Sequence, residues 1–305
     1  MTKRKTTQPT SPPQDLDESL SPVERVKRKV AQAKAEGNIP TAQHFLPGLE
    51  EAMRAMPNHI ARCSLFAPVA RGRKKLHKDT LLLETPSAVL RFWGEQLDEA
   101  QADVWMQFMF EASKAPLGEP IRVNRAQLLR AIGRNVGKAQ YEWLRRTAQA
   151  LSWAMISIVA PGKYEIDERK AKGSQPAERL LHMIEGYDYD PELEEYVLRV
   201  DPRWRLLYGN NEFALVDWDK RLQIGQGQDL AKSLQRLVVT SEDTEQRYTL
   251  AYLKKRAQYE SPMRKFREAL KEALQELERL GILAGSGIEA GGKGQEVAVL
   301  RRAGK

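Results

Sequence analysis

Residues 138–152 read KAQYEWLRRTAQALS, and residues 262–280 read PMRKFREALKEALQELERL. Both are short basic stretches with apolar residues at helical spacing, and each follows another helical stretch and a turn. In the first, Tyr141, Leu144, Ala148 and Leu151 recur at the three- and four-residue steps that share one helix face. Lys138, Glu142, Arg145, Arg146 and Gln149 fall on the other side. In the second, Phe266, Leu270, Ala273, Leu274 and Leu277 make the inward stripe. Arg264, Glu268 and Lys271 lie opposite, with Arg267 on the shoulder. The helix ahead of the first covers 123–132, with Asn124 as its cap and Gln127 where a capping box needs it. It runs into the turn Gly133–Gly137. The helix ahead of the second covers 248–258 and runs into Tyr259-Glu260-Ser261. Ser261 is expected to cap the basic helix, with Pro262 at its first position, where a missing N–H costs nothing. Helix, short turn, helix is how a protein lays its second helix in the DNA major groove. Two such units about 120 residues apart predict a chain that reads a long asymmetric site.

Working outward, Leu81–Glu84 and Val89–Trp93 read as strands, and 98–113 as a helix capped by Asp98 that buries Val104, Trp105, Phe108 and Met109. Ile121-Arg122-Val123 is an extended lead-in. After the first basic helix, Trp153–Val159, Leu180–Tyr187 and Tyr196–Val200 read as strands. The acidic run Asp188–Glu195 reads as a solvated turn, and the polar stretch 167–178 as a wing tip. Residues 229–240 form a helix burying Leu230, Leu234, Leu237 and Val238. Gly281 ends the second basic helix, and Ile282-Leu283 and Val297–Leu300 form strands joined by the Gly-rich segment 284–295. Helices followed by a hairpin make a winged helix. The expected fold is therefore α+β: two tandem winged-helix domains, 76–205 and 206–305, behind a largely disordered basic N-terminal arm, 1–75, with a short helix over 22–37.

The net charge of +8 is unevenly spread. Residues 1–80 carry 15 Lys/Arg against 8 Asp/Glu, whereas 81–305 are nearly balanced at 34 against 33. A DNA surface in the folded part must then come from local clustering. Between Lys254 and Lys271 there are seven Lys/Arg and two Glu, a footprint suited to phosphate, although basic helix faces are often merely solvated. The expected DNA-contacting set is Lys138, Arg145, Arg146 and Gln149 on the first helix, and Ser261, Arg264, Lys265, Arg267 and Lys271 on the second. Arginine suits guanine O6/N7, and lysine more often meets phosphate.

Other chemistry finds little support. The single cysteine, Cys63, excludes an intrachain disulfide or a cysteine zinc site and suits a reducing cytoplasm. No apolar run is long enough to span a membrane. Gly287–Lys293 has the spacing of a phosphate-binding loop, but Gly294 stands where Ser or Thr would hold magnesium. Gly225-Gln-Gly227 is a turn rather than a dinucleotide fingerprint. The histidines at 44, 59, 77 and 182 are scattered without metal-ligand spacing, so no cofactor, metal or enzymatic activity is expected.

Three blocks carry a family resemblance. Met53-Arg-Ala-Met-Pro-Asn58, with Ala61-Arg62 and Ser64-Leu65-Phe66, resembles the segment preceding the DNA-binding domains of TrfA-type plasmid replication initiators. Leu117-Gly-Glu-Pro-Ile121 resembles their lead into the first helix-turn-helix, and Glu276–Leu283 the end of their second recognition helix. The resemblance implies two winged-helix domains on direct-repeat duplex DNA (iterons), opening of an adjacent A+T-rich region, and recruitment of the host initiator and replicative helicase. It also implies exchange between dimers and DNA-active monomers. The family arm carries a sliding-clamp-binding peptide of the Gln-Leu-Ser-Leu-Phe kind. The nearest strings here depart from it: Gln43-His-Phe-Leu46 lacks the Leu-Phe ending, and Arg62-Cys-Ser-Leu-Phe66 lacks the leading Gln, leaving simple packing as the other role of Leu65-Phe66. A transcriptional repressor with the same two units, or an origin-nicking nuclease, are the competing expectations.

Overall fold

In the computed structural model of the protein, the described residues are Arg28 and residues 49–68, 74–116, 118–160, 178–208 and 212–304. The helix expected over 22–37 lies outside them except at Arg28, and the wing tip expected over 167–178 except at Glu178. The chain is an α+β protein. It opens with β1 (Met53–Pro57), α1 (Asn58–Arg62), β2 (Phe66–Ala67), β3 (Leu76–Thr85), β4 (Ala88–Glu95), β5 (Leu97–Asp98) and α2 (Glu99–Lys114). Next come β6 (Ile121–Asn124), α3 (Arg125–Ala131), α4 (Lys138–Trp153), β7 (Met155–Val159), β8 (Glu178–His182), β9 (Gly186–Asp190) and β10 (Glu195–Arg199). After α5 (Trp204–Leu207), β11 (Phe213–Asp217) and α6 (Trp218–Leu222), the chain finishes with α7 (Asp229–Val238), β12 (Glu245–Thr249), α8 (Leu250–Arg256), α9 (Met263–Arg279), β13 (Gly287–Ala290) and β14 (Glu296–Arg301).

One order of elements occurs twice. In the first half α2, β6, α3, α4, β9 and β10 follow one another, and the three strands lie in the order β6-β10-β9. In the second half α7, β12, α8, α9, β13 and β14 do the same, with strand order β12-β14-β13. The first unit differs by an inserted hairpin, β7–β8, which joins β3 and β4 in a four-stranded antiparallel sheet, β3-β4-β7-β8. Each half has its own apolar core. The first runs from Met53 to Trp218 around Trp105, whose ring packs at a tilt against Phe66 and Trp204, with centroids 5.8 and 5.2 Å away. The second begins at Ile224 and centres on Phe266, Leu270 and Leu274.

Several expectations need correcting. Residues 53–67 are no loose arm: β1 is buried throughout and pairs antiparallel with β11, from Met53↔Asp217 to Pro57↔Phe213. The partner strand lies some 160 residues away, so nothing local could reveal it. The first core therefore also passes the expected boundary at 205. Asp98 completes a full capping box with Gln101. Asn124 caps α3 through Oδ1, accepting from the amides of Ala126 and Gln127, but without the reciprocal Gln127 bond, because Asn124 also ends β6 opposite Glu195. The stretch 180–187 is two strands, β8 and β9, separated by the buried pair Met183-Ile184. Tyr248 belongs to β12 rather than to a helix. Gln246 turns inward there between outward Glu245 and Arg247, and Thr249 caps α8 by accepting from the amide of Tyr252 at 3.2 Å. In the last hairpin the first strand is β13, not Ile282-Leu283, of which Leu283 makes only an isolated bridge to Arg302.

Candidate nucleic-acid interface

α4 buries Leu144, Thr147, Ala148 and Leu151 and leaves Lys138, Glu142, Arg145 and Arg146 exposed, with Gln149 half-buried. Tyr141 is half-buried rather than core, because the guanidinium of Arg125 lies 3.8 Å over its ring. Arg145 is held by Glu142 one turn back at 2.6 Å. That hydrogen bond raises the Arg145 pKa and lowers that of Glu142. Arg134, in the turn between α3 and α4, covers Trp143 at 3.6 Å and donates to Gln140 Oε1 at 3.0 Å. The turn is therefore fastened onto the helix it introduces.

α9 buries Phe266, Leu270, Ala273, Leu274 and Leu277, the stripe read from spacing alone. Arg264, Lys265 and Lys271 are exposed on its outer side, and none has a carboxylate partner among the described residues. Arg267 is different. Its guanidinium grips the Glu296 carboxylate at the start of β14, with Nε donating to Oε1 at 3.0 Å, and this bond raises its pKa. Ser261 does not cap the helix. Pro262 holds that position with φ −53° and ψ 154°, and its carbonyl already accepts the amide of Phe266 at 3.1 Å. Ser261 sits one residue too early.

The hairpins flanking the two helices have unlike chemistry. The run expected to be a solvated turn, Asp188–Glu195, turns only over 191–194, its ends belonging to β9 and β10; that turn is exposed and acidic. Asp190 Oδ1 accepts the amides of Glu192 and Leu193 to hold it, and Arg125 and Arg199 pair with Glu194 and Asp188. Repulsion by its carboxylates keeps such a tip away from phosphate unless those arginines screen it. β12, β13 and β14 instead carry a balanced ring of charge, with Arg247 and Arg301 each bridging Glu245 and Glu289.

Sequence inspection missed what ties the two units together. Arg221 of α6 and Arg236 of α7 are fully buried, and both meet Glu99 at the start of α2. Arg221 also meets Asp103 at 2.5 Å, with Lys232 on the other Asp103 oxygen at 2.6 Å. Burial opposes ionisation of Asp103, but the charges of Arg221 and Lys232 outweigh it and hold the carboxyl below its usual range. Arg236 also donates to the carbonyl of Phe66. Arg256 of α8 donates to the carbonyls of Ala61 and Arg62, and burial pushes its pKa down to about 10. Leu65 and Phe66 are buried beneath these contacts, so packing is their role in this fold. The other clamp-like string, 43–46, lies outside the described residues. Trp153, 72% exposed at the end of α4 beside Arg146 and Gln149, is a further surface group that periodicity did not mark. No group of three or more His, Cys, Asp or Glu among the described residues is placed to hold a metal, and no helix there is long and apolar enough to cross a membrane.

The architecture is shared with domains 2 and 3 of RctB. One crystal structure of that pair matches with a TM-score of 0.52 at 10% identity, covering 82% of this chain and 99% of that one. A second matches with a TM-score of 0.50 at 12% identity, covering 80% and 96%. In sequence the chain resembles the plasmid replication initiator protein TrfA of Escherichia coli, with 21% identity over 173 residues. That match takes in 56% of this chain and 43% of TrfA, so the chain spans less than half of its relative's length. No protein-family model matches. The match to TrfA agrees with the TrfA-type resemblance read in the sequence.

Proposed function

We propose that the chain is a plasmid-type DNA replication initiator that binds direct repeats at an origin through two tandem winged-helix units. The observation that carries this is the repeated order of helix, strand, two helices and hairpin, each time with an exposed basic face on its third helix. α4 and α9 lie in successive major grooves on one face of the duplex. Lys138, Arg145, Arg146 and Gln149 serve the first groove, and Arg264, Lys265 and Lys271 the second, with Arg267 joining once released from Glu296. Direct repeats, rather than a palindrome, suit two unlike units in one chain. The similarity to TrfA supports an origin as the target, with opening of adjacent A+T-rich DNA and recruitment of the host initiator and replicative helicase as its consequences. On this reading the protein works in the cytoplasm by binding rather than catalysis and exchanges between dimer and monomer. Because phosphates supply much of the affinity, binding should weaken steeply with salt.

A footprint on the DNA flanking the gene tests this. The expected result is several protected direct repeats, each about two helical turns long, beside an A+T-rich stretch. A single protected palindrome over a promoter would replace the initiator with a repressor. A nicked, protein-linked product from supercoiled origin DNA and a divalent metal would make the chain a nuclease.

A further inference from the structure

Between the two units lies a groove of about 810 Å³ whose lining includes none of the side chains assigned to DNA on α4 and α9, although Lys254 and Lys255 belong to the basic run 254–271. One wall is β3, the edge strand of the four-stranded sheet, which pairs with β4 alone. An extra residue between Leu81 and Leu83 bulges the strand, and all three consecutive leucines, 81 to 83, line the groove. Leu81 is 44% exposed. The facing wall is α8, the turn after it and the first residue of α9, with Tyr252 (42% exposed), Tyr259 and Met263. Five cationic side chains line the groove against two carboxylates, Glu84 and Glu260. Of these cations, Lys75, Lys254 and Lys255 have no carboxylate partner among the described residues.

We propose that this groove docks an extended, acidic peptide segment of a partner protein that also carries apolar side chains. An edge strand offers a peptide main chain the N–H and C=O groups it needs. The leucines and tyrosines take its apolar side chains, and the lysines take its carboxylates. Duplex DNA fits the lysines but gains nothing from three leucines and an unpaired strand edge. The proposal goes beyond the DNA reading and does not depend on it.

The probe is a fluorescein-labelled peptide alternating leucine and aspartate, about eight residues long, the length of an ordinary strand. Its polarisation is followed against the full chain, with a leucine–lysine peptide as control. The expected result is saturable binding of the acidic peptide alone. Leu81→Asp, and separately Lys254→Glu with Lys255→Glu, should each weaken it by at least about ten-fold, the loss typical of a central contact. Unchanged thermal melting would show that the variants fold, as expected for surface positions. Competitive displacement of the peptide by random duplex DNA would reassign the groove to nucleic acid and overturn the proposal. Self-association in sedimentation that Leu81→Asp abolishes would reassign it to a second copy. No saturable binding would also overturn it. A failed origin footprint with intact peptide binding would sink the initiator reading and leave this one standing.

Discussion

Arg264 and Arg267 stand three residues apart on one helix, yet the fold treats them differently. Arg264 is exposed and has no carboxylate partner among the described residues, whereas Arg267 is spoken for by Glu296. Arg264→Ala should therefore cost the specific site roughly 1–3 kcal/mol and random duplex much less, the signature of a base contact. Glu296→Gln should raise DNA affinity, because it frees Arg267 and removes a negative charge next to phosphate. Polarisation titrations at one fixed salt concentration measure both. Equal losses on specific and random DNA for Arg264→Ala would mean that this arginine only meets phosphate. The outward direction of both arginines was legible from helical spacing. The Glu296 partner was not, because it sits 29 residues on, in a strand whose register no local pattern reveals.

At the scale of elements, α9 was read almost completely because its five buried positions repeat with the helix itself. β12 was missed because its inward residues, Gln246 and Tyr248, are polar or amphipathic and merge into the helix that follows. β13 was missed because its run, Gly-Ile-Glu-Ala, holds one sizeable apolar residue. The carboxyl end of α9 makes a checkable case. Glu276 accepts from Arg279 and from the amide of Gly225 at 2.7 Å, and these bonds depress its pKa from 4.5 to about 2. A folded-state pKa below the unfolded one stabilises the fold above the unfolded value and stops doing so as pH falls through the folded value. Glu276→Gln should thus lower the melting temperature at neutral pH. The gap should close as pH drops from about 4.5 towards 2. A gap that stays constant with pH would show that the side chain's shape, not its charge, holds the Gly225 turn.

In the whole molecule, the decisive interactions join residues more than a hundred positions apart: Glu99 and Asp103 from one unit, Arg221, Lys232 and Arg236 from around the start of the other. Partners so far apart in the chain leave no local pattern to read, and a buried charge without its partner is expensive. Glu99→Gln leaves two buried guanidiniums facing a neutral amide and should cost roughly 3–5 kcal/mol in urea unfolding. The milder Lys232→Ala, at the rim of the network, should leave the chain folded but broaden the spacings tolerated between two half-sites. Unchanged spacing preference in a folded variant would show that DNA, not the network, sets the distance between the reading helices. The pairing of β1 with β11 has a different consequence. On the ribosome Met53–Pro57 emerges first and must wait for residues 58–212 before its partner exists. Until then a buried strand is a bare hydrophobic edge, open to chaperones or to another nascent chain. A fragment cut at 203, before α5 and β11, keeps that edge bare for good, and should aggregate where one cut after Leu222 stays dispersed.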